Sequence, residues 1–223
     1  RHDDNDKFDD YTTWRASTAV RLPMGFRPHA SIGTGVKLPS MYEQFGNSQF
    51  FTPNANLTPE EALGWDAGLE WKTWGGRALF DVTYFNVKTQ NEIATVFSPS
   101  FTAINRDGTS TRQGLEVSTA LQLTDAIRLG AGYTYLDAKE PDGTAEFKRA
   151  KHSGHVDLNY SFDQGRGNVN LSAKYVGDSE DRALRLSLPV FFGFPTFVPE
   201  RVPLDNYWLV NVAASYEVQE GVT

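Results

Sequence analysis

Hydrophobic and polar residues take turns along almost the whole chain. Trp14, Ala16, Thr18 and Val20 fall on one side of an extended backbone, and Arg15, Ser17 and Arg21 fall on the other. A period of two is the signature of a strand, because successive side chains leave opposite faces of the pleat. The rhythm returns where Phe26, Pro28, Ala30 and Ile32 oppose Arg27, His29 and Ser31, and where Leu63, Trp65, Ala67, Leu69 and Trp71 oppose Asp66, Gly68, Glu70 and Lys72. Six further segments repeat it: Phe80 to Tyr84, Leu115 to Leu121, Ile127 to Tyr135, Val156 to Phe162, Val169 to Tyr175 and Trp208 to Tyr216. Nine strands are predicted.

A soluble β-sandwich alternates too, so the connections between strands matter. Tight turns are predicted at Pro23-Met24 and at 73–76, 123–126 and 163–167. Between them come long connections at 36–61, 88–111, 138–151 and 177–205. Strict alternation of short and long loops is the habit of outer-membrane barrels, whose periplasmic turns are short and whose extracellular loops are long. Aromatics cluster at the strand ends. Trp71, Trp74, Tyr160, Phe162 and Tyr216 lie beside the short turns, whereas Trp14, Trp65, Tyr84, Tyr133, Tyr135, Tyr175 and Trp208 lie toward the long loops. Two aromatic belts suit rings that sit at two headgroup layers. The expected fold is therefore all-β, an antiparallel transmembrane β-barrel segment of about nine strands that forms an open curved sheet by itself.

Composition sharpens this picture. The chain is 39% hydrophobic and 13% aromatic, with a mean hydropathy of −0.45. No run approaches the ~20 apolar residues a membrane helix requires. A formal charge of −7 argues against a nucleic-acid partner. With no cysteine, neither a disulfide framework nor a thiolate metal site is available. The chain opens at Arg1 and stops at Thr223 in mid-pattern, which reads as a segment excised from a longer protein.

Nothing in the sequence points to catalysis or to a cofactor. His152 and His155 stand three apart, and on a strand that spacing sends them to opposite faces. Gly33-Thr34-Gly35 lacks the strand–loop–helix setting of a nucleotide site. Asp3, Asp4 and Asp6 offer oxygen ligands of the kind Ca²⁺ takes, although an acidic, solvated loop has the same composition. Arg112, Glu116, Asp157 and Lys174 would be costly against lipid, ~2–4 kcal/mol for a basic residue at mid-membrane, so they are expected to face the lumen. The long connections carry aromatic candidates for ligand contact: Tyr42, Phe50 and Phe51 in one, and Phe191, Phe192, Phe194 and Phe197 in another. Packing of loop against loop explains the same residues equally well.

The segment Gly33-Thr34-Gly35-Val36-Lys37-Leu38-Pro39-Ser40 with Glu43-Gln44-Phe45-Gly46 resembles a loop of TonB-dependent receptors. Pro53-Asn54-Ala55-Asn56-Leu57-Thr58-Pro59-Glu60 is similar to that family's NPNLxPE element, with Ala55 inserted. Asn105 through Gly114-Leu115-Glu116 resembles its N…GxE strand opening, and Lys148-Arg149-Ala150-Lys151 is similar to the vitamin B12 branch. The resemblance runs across residues 1–223. It implies nine strands, the twelfth to the twentieth, of a 22-stranded barrel in the bacterial outer membrane, with an N-terminal plug, the first part of the barrel and the last two strands lying elsewhere. It further implies TonB-coupled uptake of a ferric siderophore or a cobalamin-like corrinoid, and makes Glu116 the foremost plug contact. A passive, plugless porin is the alternative that the alternation alone leaves open.

Overall fold

The computed structural model describes residues 1–4, 8, 10–46, 48, 51–96, 101–191 and 194–218; side chains at 184, 186–191 and 194–199 are outside the description. Nine long segments form one sheet: β1 (Arg15–Ala19), β2 (Phe26–Lys37), β3 (Glu60–Thr73), β4 (Ala78–Gln90), β5 (Thr109–Gln122), β6 (Ile127–Lys139), β7 (His152–Phe162), β8 (Gly167–Val176) and β9 (Tyr207–Tyr216). Each pairs antiparallel with its neighbour in sequence, so the sheet is a simple meander with β1 and β9 at its edges. Sequence and structure agree on all nine.

Register decides which side chains share a face. One row runs Val82, Val117, Tyr133, Gly154, Tyr175, Trp208 across five strand pairs. A lower row runs Trp71, Phe80, Thr119, Ala131, Val156, Ala173, Val210. Every apolar stripe predicted from alternation therefore meets the next on a single outer face. The opposite face collects Arg27, Glu70 and Asp81, then Thr83, Glu116 and Thr134.

Both aromatic belts form. Near the short turns the Trp71 ring lies between those of Phe26 and Phe80, with centroids 5.6 and 5.7 Å away, and its indole N–H donates to the Met24 carbonyl at 3.1 Å. Tyr160, Phe162 and Tyr216 stack in series further along. At the other end Trp65 meets Tyr84 at 5.4 Å and Tyr175 meets Trp208 at 5.0 Å. Such cross-strand aromatic pairs contribute roughly 0.2–1 kcal/mol each.

β3 to β6 hold 14, 13, 14 and 13 residues, more than the ~9–11 that a tilted strand needs to cross a bilayer. The excess lifts their long-loop ends clear of the hydrocarbon. Pro28, inside β2, lacks an N–H. Its carbonyl accepts from Val20 at 3.1 Å, so the missing donor falls on the β1 side, just past Ala19 where β1 ends, and only one ladder bond is forgone.

Within the connection 177–205 the backbone pairs with itself as a hairpin, Ser179–Phe191 against Phe194–Leu204, separate from the main sheet. Pro199 and Pro203 are accommodated because a two-stranded ribbon leaves each strand one unpaired edge. A smaller hairpin, Ile93–Val96 with Thr102–Asn105, occupies the connection 88–111. The chain's first residues pair as His2–Asp3 against Tyr11–Thr12.

Two expectations follow. In the intact membrane-embedded barrel, probes at Ala67, Val117 and Leu158 should behave as lipid-exposed and probes at Glu116 and Asn170 as water-exposed; the reverse would mean a register slip of one residue. Gly25 takes φ +83° in the first short turn, and a Cβ there would stand 1.9 Å from the Lys72 carbonyl oxygen. Gly25→Ala should therefore cost at least about 2 kcal/mol, read as a lower urea midpoint for loss of the heat-modifiable folded band.

Candidate ligand-facing crown and inner wall

The inner wall is charged, and two ion pairs cross between its strands. Arg27 donates twice to Glu70, at 2.9 and 2.7 Å. The His29 ring nitrogen Nε2 lies 2.9 Å from Asp81, which also accepts from Thr83 at 2.7 Å. Ser31 donates to Asp66, and Asn159, Asn168 and Asn170 bond among themselves. Three of the four residues expected in the lumen lie on this face and are exposed. Glu116 and Lys174 form no ion pair among the described residues; Asp157 has only a 3.7 Å approach from His155 on its own strand.

Arg112 is also on this face, but nearer the long loops, and it is engaged. Its guanidinium donates to Glu146 at 3.0 Å and to Glu92 at 2.8 Å, tying the connections 138–151 and 88–111 to β5. Ser110 donates to the same Glu92 carboxylate. Burial works against ionising Glu92, yet the Ser110 hydrogen bond and the Arg112 charge outweigh it and hold the pKa below the usual carboxylate range.

The family-like segments meet above the wall. Leu57 is 1% exposed and, with Phe51 and Ala103, forms a small core on which Ile93 and Phe101 pack. Asn54 donates to the Ala103 carbonyl at 3.0 Å. Asn105 accepts from the Thr58 N–H and donates to the Thr58 carbonyl, both at 2.8 Å. Glu60 receives Lys37 at 2.7 Å and the Ile93 N–H at 2.9 Å. Gly114 is demanded by space: a Cβ would stand 2.0 Å from the Tyr135 carbonyl oxygen and 2.8 Å from the Phe85 ring. Asn54, Leu57, Asn105 and Glu60 fasten connection 36–61 to connection 88–111, while Gly114 gives β5 room beside β6.

A second fastening joins the hairpin Ser179–Leu204. Arg201 bonds Glu180 at 2.6 Å and the Ala145 carbonyl at 2.8 Å, and its guanidinium covers the Phe147 ring at 4.2 Å; Arg182 covers Phe147 at 4.9 Å. Arg106 pairs with Glu140 at 2.9 Å. The long connections thus form one linked crown.

Among the aromatic candidates, Phe51 is buried in the loop core. Tyr42, on the short helix Met41–Phe45, stacks on Phe51 at 4.8 Å and remains 52% exposed. Phe50 and Phe192 lie outside the described residues, as do the side chains of Phe191, Phe194 and Phe197. Asp3 is held by Arg1 at 2.8 Å, Asp4 lies 2.9 Å from His2, and Asp6 is outside the described residues. His2, Asp4 and Asp10 bring their ligand atoms within 4.8 Å of one another, all exposed. Glu92, Glu146, Phe147 and Arg201 were not singled out from sequence, since their only signal is contact between distant loops.

An apolar outer face, a charged inner wall and a linked crown define the wall of an outer-membrane β-barrel. The chain belongs to the TonB dependent receptor-like, beta-barrel family, which it matches over residues 1–223. It is similar to the vitamin B12 transporter BtuB of Photobacterium profundum, 27% identical over 232 residues that cover 100% of this chain and 34% of that protein. Among solved structures, the siderophore receptor PirA of Acinetobacter baumannii superposes with TM-score 0.76 at 14% identity, over 98% of this chain and 36% of that one. The ferripyoverdine receptor of Pseudomonas aeruginosa does so with TM-score 0.70 at 17% identity, over 92% and 27%. The chain thus spans about a third of the length of the curated relative. Proteins of this family reside in the Gram-negative outer membrane.

Because the Glu92 pKa is depressed in the fold, its contribution is present above the unfolded carboxylate value of about 4.3 and disappears as pH falls through the folded one. The crown should resist protease at pH 5 and loosen only once pH falls below that unfolded value. Glu92→Gln should weaken it by about 1–3 kcal/mol at neutral pH and flatten the acid response; equal nicking of both proteins at pH 7 would contradict this.

Proposed function

We propose that this chain supplies part of the barrel wall and extracellular crown of a TonB-dependent importer whose cargo is a bulky, scarce nutrient, a cobalamin-like corrinoid in the first instance. The observation that carries the reading is the division of charge on the inner face. Arg27, His29, Glu70 and Asp81 satisfy one another within the sheet, while Glu116 and Lys174 stand exposed without an ion pair among the described residues and Asp157 nearly so. A lumen lined this way suits an N-terminal plug that brings complementary partners. The plug, its TonB contact and the remaining strands of a 22-stranded barrel belong to the parent protein on this reading.

Similarity to a vitamin B12 transporter supports the corrinoid; the siderophore receptors share the fold, and a ferric siderophore is the second cargo class. No catalytic role is assigned to any residue. Ligand contact is assigned to the crown, through Tyr42 held from below by Phe51, and through Phe191, Phe194 and Phe197 on the hairpin, with Phe50 and Phe192 beside them in sequence. A plugless porin would need no energy source.

Uptake of labelled cyanocobalamin and of ferric siderophores by cells carrying only the intact receptor tests this. Uptake of one of them should stop when TonB is removed or the proton gradient collapsed. Tyr42→Ala should weaken ligand binding about fivefold, the effect of losing a contact worth about 1 kcal/mol. Uptake that persists without TonB would establish the passive pore instead.

A further inference from the structure

The inner face carries a basic recess at its short-turn end. It has a volume of about 490 Å³ and lies where β3 to β6 come down to their turns. Leu79 and Ala120, register partners on β4 and β5, form its floor. Three cations line it: Lys72 near the end of β3, Arg77 just before β4 and Arg128 near the start of β6. Lys72 alternates with Glu70 onto the inner face, and Arg128 does so with Thr134, the register partner of Glu116. In a chain of net charge −7 such a cluster stands out.

The wall gives these cations little anionic company. Among the described residues that line the recess Glu70 is the one carboxylate, and both its oxygens accept from Arg27. Arg77 reaches Asp125 at 3.2 Å, out in the turn where that carboxylate is fully exposed. Arg128 leans toward β5, where its Nε donates to the Gln122 side chain at 2.8 Å, while Asp157 on β7 is opposite Gly130. Neither Lys72 nor Arg128 forms an ion pair among the described residues. Gly76 lets Lys72 lie across the turn, since a Cβ there would stand 3.0 Å from the lysine Cε.

We propose that this recess holds a short acidic stretch of polypeptide from the parent's own N-terminal plug. A plug that fills the lumen displaces the water around Lys72 and Arg128, and carboxylates must offset that loss. β3 and β6 are three strand spacings apart, about 14 Å, a span that about four extended residues cover. Carboxylates on one face of such a segment, about 7 Å apart, match that spread better than a single small anion does. Glu116 stands four residues up β5 from Ala120, about 13 Å higher, and calls for a plug cation there. Carboxylates below and a cation above would fix the height and rotation of the plug. The assignment rests on the plug-bearing importer proposed above and is independent of its cargo.

The test treats the intact receptor with a water-soluble carbodiimide, which joins an amine to a carboxylate in contact with it, and maps the products by mass spectrometry. Lys72 should be joined to an Asp or Glu of the plug. Lys72→Gln with Arg128→Gln should let protease cut the plug at least about tenfold faster while the heat-modifiable barrel band persists. Lys72→Arg with Arg128→Lys should restore protection. A plug that is present while Lys72 stays unlinked, or is joined only to Glu70, would overturn this docking and leave the importer standing. Equal cutting of wild type and the Gln variant would overturn it too, and a parent without a plug would overturn both readings. The wild-type cross-link decides by itself should the Gln variant fail to give the folded band.

Discussion

A strand surrounded by hydrocarbon has no water to satisfy its N–H and C=O groups, so each must find a partner on an adjacent strand. Nearly everything else in this structure follows from that constraint. It forces the nine strands into a continuous ladder, and the ladder fixes register. Register in turn fixes the faces, since a slip of one residue would carry Trp65, Ala67 and Leu69 inward and Asp66 and Glu70 outward into lipid. The position of Pro28 obeys the same rule. A residue with no donor sits where the neighbouring strand has already ended.

Once the outer face is committed to lipid, all charge on the wall is confined to the inner side and to the strand ends. Confinement makes pairing easy, because opposite residues in an antiparallel ladder are close neighbours. Arg27 and Glu70 are register partners, and Glu70 is in turn opposite Asp81. His29 and Asp81, by contrast, meet diagonally across β3, over Gly68, whose missing side chain leaves the room: a Cβ there would stand 2.6 Å from the imidazole. Where β3 to β6 rise above the membrane, the lumen-facing side continues as the root of the crown. Arg112 belongs to the wall by register and to the crown by contact.

Strands were legible in the sequence because their information is local: a period of two, a turn residue and a belt aromatic are each visible within a dozen positions. The crown was not legible in this way. Arg112 finds Glu146 34 residues on, and Asn54 finds Ala103 49 residues on, and no periodicity links them. Tyr42 and Phe51 look alike in sequence, one ring each in a long connection, yet one is exposed and the other buried. What separates them is Leu57 and Phe101, which close over Phe51 from two loops. The hairpin 179–204 hid itself for another reason. Its prolines argue correctly against a place in the main sheet, but they do not forbid a ribbon with free edges. Motif resemblance did reach part of the crown: Asn54, Leu57 and Asn105 lie in the quoted segments and prove to be fasteners, whereas Gly114 makes room between strands.

That last point separates the family's shared residues from those able to choose a cargo. Leu57, Asn105 and Glu60 spend their polar atoms or their surface on other loops, so a change at any of them would first disturb the crown's shape. Side chains free to discriminate between ligands must be anchored on one side and open on the other. Tyr42 meets both conditions, with Phe51 against one face of its ring and solvent at the remainder. The same logic holds on the outer face, where Tyr175 is anchored by Trp208 and open to lipid. In a wall whose backbone, between its two edge strands, is consumed by its own ladder, recognition of a partner on either face has to be carried by side chains of this half-anchored kind.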